Sequence, residues 1–240
     1  MKTNKVVLYY AFSSLKDTIF TYTVGDPQTG RYGKNRNQNR GNKNQKHTPH
    51  VNPNKKRFKM KRLMLKQLLD AWKSNELLEI YNDSVKYTFA VGFVICMTDN
   101  DMLLNCIDLE GRDDGFVLIN ITDIYCVKKS TQYLMNIMKL SNNKYPRYCE
   151  WYSTNEYVEK FNLFSDFLQE SMKNHILSHI KLYNGDDYYG TIEDKDEKDI
   201  NLKSFNENGE FDGFSFIKID DIELISFDGV EENRLTKLIK

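Results

Sequence analysis

Apolar positions along the chain follow two spacings. Leu65, Leu68, Leu69 and Trp72 fall at i, i+3, i+4 and i+7, the stripe of one helix face. Tyr157, Phe161, Phe164, Leu168 and Met172 line a second helix, and Ser153 with Glu156 has the spacing of a capping box at its start. Elsewhere the period is two: Ile119 and Ile121, like Ile217 and Ile219, alternate with polar neighbours, as a strand with one buried face requires. Gly92 and Gly190 interrupt strand-like runs, where a missing side chain marks a bend or a close backbone approach. Short helical patterns at 132–140 and 231–239 follow the two sets of strands. Residues 1–25 hold two alternating stretches that suit a β-hairpin or an added edge strand.

The two sets of strands share their spacing. At an offset of 98, Gly92 matches Gly190, Asp101 matches Asp199, Leu104 matches Leu202 and Gly111 matches Gly209. The runs Asp114, Gly115, Phe116 and Asp212, Gly213, Phe214 also match, as do Ile119, Ile121, Asp123, Ile124 and Ile217, Ile219, Asp221, Ile222. An ungapped match over this length reads as a tandem duplication of a helix-plus-strands unit.

Composition sharpens this picture at one place. The formal net charge is zero, but residues 28–69 carry 13 Lys or Arg and no Asp or Glu, whereas residues 70–240 hold 18 basic and 32 acidic side chains. Residues 26–57 are rich in Asn, Gly, Lys and Arg, and a segment of this composition buries too little apolar surface to offset the entropy of ordering. It is predicted to be a basic flexible arm on an acidic body, suited to a polyanion or to a resting contact with that body. Cys96, Cys106 and Cys126 lie in apolar strand-like runs without CxxC spacing, and Cys149 stands alone, which predicts reduced thiols and a cytoplasmic protein. No apolar run is long enough for a membrane span, and the N-terminus does not have a signal-peptide pattern.

The stretch HIKLYNGDDYYGTIEDKDEKDINL, at 179–202, resembles the first motif of the Sm-like (LSm) family, with an apolar strand ending in Asn-Gly, a Gly five residues on, an Asp and an apolar-Asn-Leu close. FIKIDDIELI, at 216–225, resembles the second motif, where the family typically has Ile-Arg-Gly. The resemblance implies a mainly β fold of two tandem, strongly bent five-stranded barrels, each with a leading helix and a short trailing helix. It places a divergent first unit at 58–145 and a second at 150–240, whose strand edges could pair within the chain and with other chains. In that family subunits join edge to edge into rings and hold RNA bases. Carried over, Asn201 stands at the Asn position, Lys218 at the Arg position and Lys198 near the stacking position. Ile219 replaces the Gly of the second motif, and the first copy has Leu103 and Asn120 instead.

These residues point to a non-catalytic protein binding RNA or another single-stranded nucleic acid. The arm would supply affinity through Arg31, Tyr32, Lys34, Arg36, Arg40, Lys43, Lys55, Lys56 and Arg57, with Asn201, Lys218 and Lys198 as pocket residues. The alternative is a module that binds a protein partner or a small ligand without nucleic acid. No nucleophile and base can be paired from sequence, and His47 and His50 in the arm have no Cys or carboxylate beside them to complete a metal set. No cofactor is expected.

Overall fold

The computed structural model describes residues 62–83, 88–141, 146–149 and 162–239. Helix α1 (Arg62–Ser74) opens the described chain and is followed by β1 (Leu78–Asp83), β2 (Thr88–Met97), β3 (Asp101–Ile107), β4 (Asp113–Asn120) and β5 (Cys126–Lys129). Helices α2 (Gln132–Leu140) and α3 (Leu163–Asn174) precede a second run, β6 (Ser178–Leu182), β7 (Asp187–Lys195), β8 (Asp199–Phe205), β9 (Phe211–Lys218) and β10 (Ile222–Phe227), closed by α4 (Val230–Leu238).

Each helix starts and stops for local reasons. In α1 the predicted stripe turns inward, Leu68, Ala71 and Trp72 are buried, and the Trp72 indole donates to the Ile95 carbonyl at 3.0 Å. Asn75, at φ 49°, then takes the left-handed conformation that ends a helix. Thr131 caps α2 by accepting from the Leu134 N–H at 3.2 Å. The cap of α3 is Asn162, whose Oδ1 accepts from the Ser165 N–H at 2.9 Å; the capping box predicted at Ser153 and Glu156 lies outside the described residues. At α4 the Glu232 carboxylate reaches back to the Gly229 N–H at 3.1 Å and accepts from the Ser226 hydroxyl at 2.7 Å, fastening the helix to β10.

The ten strands form one antiparallel sheet in the order β5-β1-β2-β3-β4-β10-β6-β7-β8-β9. The mainly β character agrees with the sequence reading. The two tandem five-stranded barrels do not, because the sheet is continuous and open, with β5 at one end and β9 at the other. The physical reason lies in the middle strands. Leu224, Ile225, Ser226 and Phe227 of β10 pair with Ile119, Leu118, Val117 and Phe116 of β4, so the free main-chain groups of β4 are satisfied by the far half of the chain.

The register within the two halves recurs. Gly92 pairs with Cys106 and Gly190 with Ser204, Asp101 pairs with Asn120 and Asp199 with Lys218, each at the offset of 98. A Cβ on Gly92 would lie 2.6 Å from the Asn105 carbonyl oxygen, and one on Gly190 would lie 2.5 Å from that of Lys203, so both glycines answer to a close backbone approach. At the helix ends the offset is 100: the Glu76 N–H bonds the Ala71 carbonyl as the Ile176 N–H bonds that of Ser171.

Two large apolar clusters and a small third one, of Leu177, Phe205 and Leu235, sit within this frame. One lies against α1 and includes Leu68, Trp72, Leu78, Ile80, Met102, Leu104 and Ile119. The larger contains Leu103, Phe116 and Leu118 of the first half together with Leu163, Phe167, Ile200, Leu202, Ile225 and Phe227 of the second. At its centre Phe227 stacks on Phe167, with centroids 4.4 Å apart, and on Phe116, at 5.3 Å. Arg147 clamps the same junction. It pairs with Asp113 at 2.8 Å and Asp228 at 2.6 Å, and its guanidinium lies 4.5 Å from the Phe116 ring centre.

Candidate interaction surface on strands β8 and β9

The end of the sheet at β9 carries the only predicted site residues that fall within the described chain. Across β8 and β9, Asp199 pairs with Lys218, Asn201 with Phe216, Lys203 with Phe214 and Phe205 with Phe211. Directly opposed residues share a face, so Asn201, Lys203, Phe214, Phe216 and Lys218 form one strip. The inward alternates Ile200, Leu202 and Ile217 are buried on the opposite face. A register shift between Lys203 and Phe205, with Gly213 at φ 92°, accommodates an extra residue in β9, and the Phe211 and Phe214 rings meet edge to face at 5.3 Å.

This strip is unusual for its exposure. Phe216 is 79% exposed, and Phe214 and Phe211 are each more than half exposed. Beside them the Oδ1 of Asn201 is buried with no hydrogen-bond partner among the described residues, an arrangement that disfavours the strip as a bare surface. The Lys203 ammonium lies 5.7 Å from the Phe205 ring centre.

Lys198 and Lys218 are brought to one corner, where the Ile219 N–H donates to the Lys198 carbonyl at 2.7 Å. Asp196 turns that loop by accepting from the main-chain N–H groups of Lys198 and Asp199, at 2.7 and 2.8 Å, and these bonds hold its carboxyl below the usual range. Asp194, Glu197, Asp199, Asp220 and Asp221 are exposed around the two lysines. The corner is thus a mixed-charge surface, with the amide of Asn201 set back from it on β8. In the first half the corresponding Leu103 is buried, and Asn120 instead uses its Oδ1 to accept from the Thr122 N–H at 2.9 Å. Arg31, Tyr32, Lys34, Arg36, Arg40, Lys43, Lys55, Lys56 and Arg57 lie outside the described residues.

Sequence reasoning missed the aromatic strip as a surface. Phe214 was legible only as the repeat of Phe116, a residue that is 3% exposed. Pairing of the two halves through their strand edges was expected and is seen at β4 and β10, but sequence reasoning missed the cavity of about 500 Å³ beside that junction, lined by Phe116, Arg147, Cys149, Phe227, Glu232 and Asn233. Acidic groups crowd the same region: burial, with Glu232, Asp108 and Asp113 nearby, pushes the Asp114 carboxyl up to about 7 although the Val230 N–H donates to it. Glu232 is also raised by burial. Burial pushes the Cys96 thiol up to about 11 and the Cys106 thiol well above its ordinary value, so neither is poised as a nucleophile. Among the described residues no three His, Cys, Asp or Glu side chains are grouped to hold a metal ion, and no helix is long and apolar enough to cross a membrane.

No family model matches the chain, and no curated protein matches it.

Proposed function

We propose that the chain is a non-catalytic binder of RNA or another single-stranded nucleic acid, its affinity supplied by the basic segment that leads into α1. The observation that carries this reading is the separation of charge. Thirteen Lys or Arg without one acidic residue precede a body with 32 acidic side chains. Such a segment gains by releasing counterions from a phosphate backbone, and the acidic body disfavours binding elsewhere on the chain. The motif resemblance at 179–202 and 216–225 supports the same reading and assigns Asn201, Lys218 and Lys198 to base and phosphate contacts. The corner that Lys198 and Lys218 share, with Asn201 set back on β8, is compatible with that assignment, although its carboxylates make it the weaker contributor.

The test is fluorescence anisotropy of a labelled single-stranded RNA with the full chain at 50 and 200 mM salt. Neutralising about six phosphates gives a log-log salt slope of about −4 on a single strand. Replacing Arg31, Lys34, Arg36, Arg40 and Lys43 by Gln should flatten the slope by about 0.7 for each phosphate left without its cation. Absence of binding at 50 mM salt, or a slope indifferent to these five changes, would sink the reading.

A second reading, an interaction module without nucleic acid, is favoured by the exposed Phe214 and Phe216 beside a buried, unsatisfied amide oxygen. Binding indifferent to the arm and abolished by changing β9 would favour it.

A further inference from the structure

The two outer strands of the sheet are not equally protected. β5 has four residues and ends in the exposed Lys128 and Lys129, and a short edge strand with lysines resists further pairing. β9 has eight residues, and its outer face carries the exposed Phe214 and Phe216 before a single Lys218 at its end. No strand lies beyond it among the described residues. The first half shows what such a face looks like when covered. At the offset of 98, Phe214 and Phe216 correspond to Phe116 and Leu118 of β4, both buried, where β10 pairs with β4 and Phe227 stacks on Phe116.

A matching segment lies in the chain outside the described residues. In TIFTYTV, at 18–24, Phe20, Tyr22 and Val24 alternate with Ile19, Thr21 and Thr23. Phe20 and Tyr22 are two residues apart, the spacing of Phe214 and Phe216, so a strand formed here sets two aromatic pairs across from each other in either direction. The β-branched Ile19, Thr21 and Thr23 suit the opposite face. We infer that residues 18–24 pair with β9 of their own chain as an added strand and cover Phe214 and Phe216.

The length of the tether favours the same chain over a second copy. Residues 25–61 join the segment to α1, which is fastened to β2 through Trp72 and the Ile95 carbonyl. Seven strand spacings separate β2 from β9, about 34 Å at about 4.8 Å each. A flexible chain of these 37 residues has a root-mean-square length of about 30–37 Å. Length and span match, the condition for an effective concentration in the millimolar range, about a thousandfold above a second copy at about 1 µM. Charge favours the same path: residues 28–69 carry 13 Lys or Arg and no acidic residue, and Asp194, Glu197, Asp199, Asp220 and Asp221 are exposed beside β8 and β9. The contact is local and opens in dilute urea before the body unfolds, so it leaves the urea midpoint of the body unchanged. While docked, it closes the apolar edge to other chains.

The inference is independent of the nucleic-acid reading, and its test uses no nucleic acid. Hydrogen–deuterium exchange of the nuclease-treated full chain, read by mass spectrometry at 1 and 50 µM, should show the amides of 18–24 exchanging about tenfold more slowly than in an unstructured peptide, equally at both concentrations. Phe216→Glu and Phe20→Glu should each return 18–24 to the unstructured rate while β1–β4 keep theirs, and Phe20→Glu should also speed exchange in β9. Lys129→Glu, on the opposite edge, should leave 18–24 protected. Unstructured exchange of 18–24 in the wild type overturns the inference. So does protection that survives Phe216→Glu, protection lost in Lys129→Glu, or protection seen at 50 µM and not at 1 µM, which would put a second copy's segment on β9.

Discussion

Replacing Phe227 by Ala would test whether the β4–β10 junction holds the two halves together. Phe227 is 1% exposed and lies between the rings of Phe167 and Phe116. Truncating a buried Phe costs about 3–5 kcal/mol in transfer energy and residual cavity, and the removal of both ring stackings puts this case near the upper end. Total stability of a folded chain is about 5–15 kcal/mol, so the change removes a large share of it. With a urea slope of about 2 kcal/mol per molar, the midpoint should fall by about 2 M without a change of slope. The control is Phe216→Ala at submicromolar protein, where an exposed ring should be worth no more than about 0.5 kcal/mol. A destabilisation below about 1 kcal/mol at Phe227, or equal effects at the two positions, would refute the reasoning that the junction is core and the β9 strip is surface.

The two glycines of the repeated Asp-Gly-Phe should separate in the same assay. Gly115→Ala places a Cβ 2.3 Å from the Gly229 nitrogen at φ 76° and should prevent β4 from seating under α4, whereas Gly213→Ala, at φ 92° in open space, should cost about 1–2 kcal/mol of backbone strain. Matching urea midpoints for the two would count against the described junction. Stability should also fall as pH rises. The buried Asp114 carboxyl titrates at about 7, so between its unfolded value near 4 and that pH the folded chain holds a proton that the unfolded chain has released. The neighbouring Glu232 and Asp113, also raised by burial, act in the same direction. The melting temperature should therefore be higher at pH 5 than at pH 8, and Asp114→Asn should reduce the difference; an unchanged difference in that variant would assign the slope elsewhere.

The elements were more legible in the sequence than their neighbours. The pattern at 132–140 marks α2, the pattern at 231–239 meets α4 within a residue, and Gly92 and Gly190 mark close backbone approaches. These are local signals, set by side-chain period and by sterics within a hairpin. Closure of each half into its own barrel was not a local question. Alternation at Ile119 and Ile217 tells which face is buried, but it is silent on which strand satisfies the free edge, and β4 finds β10 more than a hundred residues away. The same limit hid the candidate surface. Phe116 and Phe214 sit in the same local phrase, yet one is covered by Phe227 and Arg147 and the other is open. The motif pointed to Asn201 and Lys218, whereas Phe216 read as an ordinary strand residue because nothing in its spacing shows what lies across from it.

The pairing of β4 with β10 also sets a timetable for synthesis. β4 ends at Asn120, but its partner is complete only at Phe227, near the end of the chain. At about 5–20 residues per second, a ribosome leaves that hydrogen-bonding edge and Phe116 without their native cover for about 5–20 s. During this interval the nascent first half presents an apolar strand edge to any other nascent chain on the same message, the situation in which misassembly and chaperone capture are favoured.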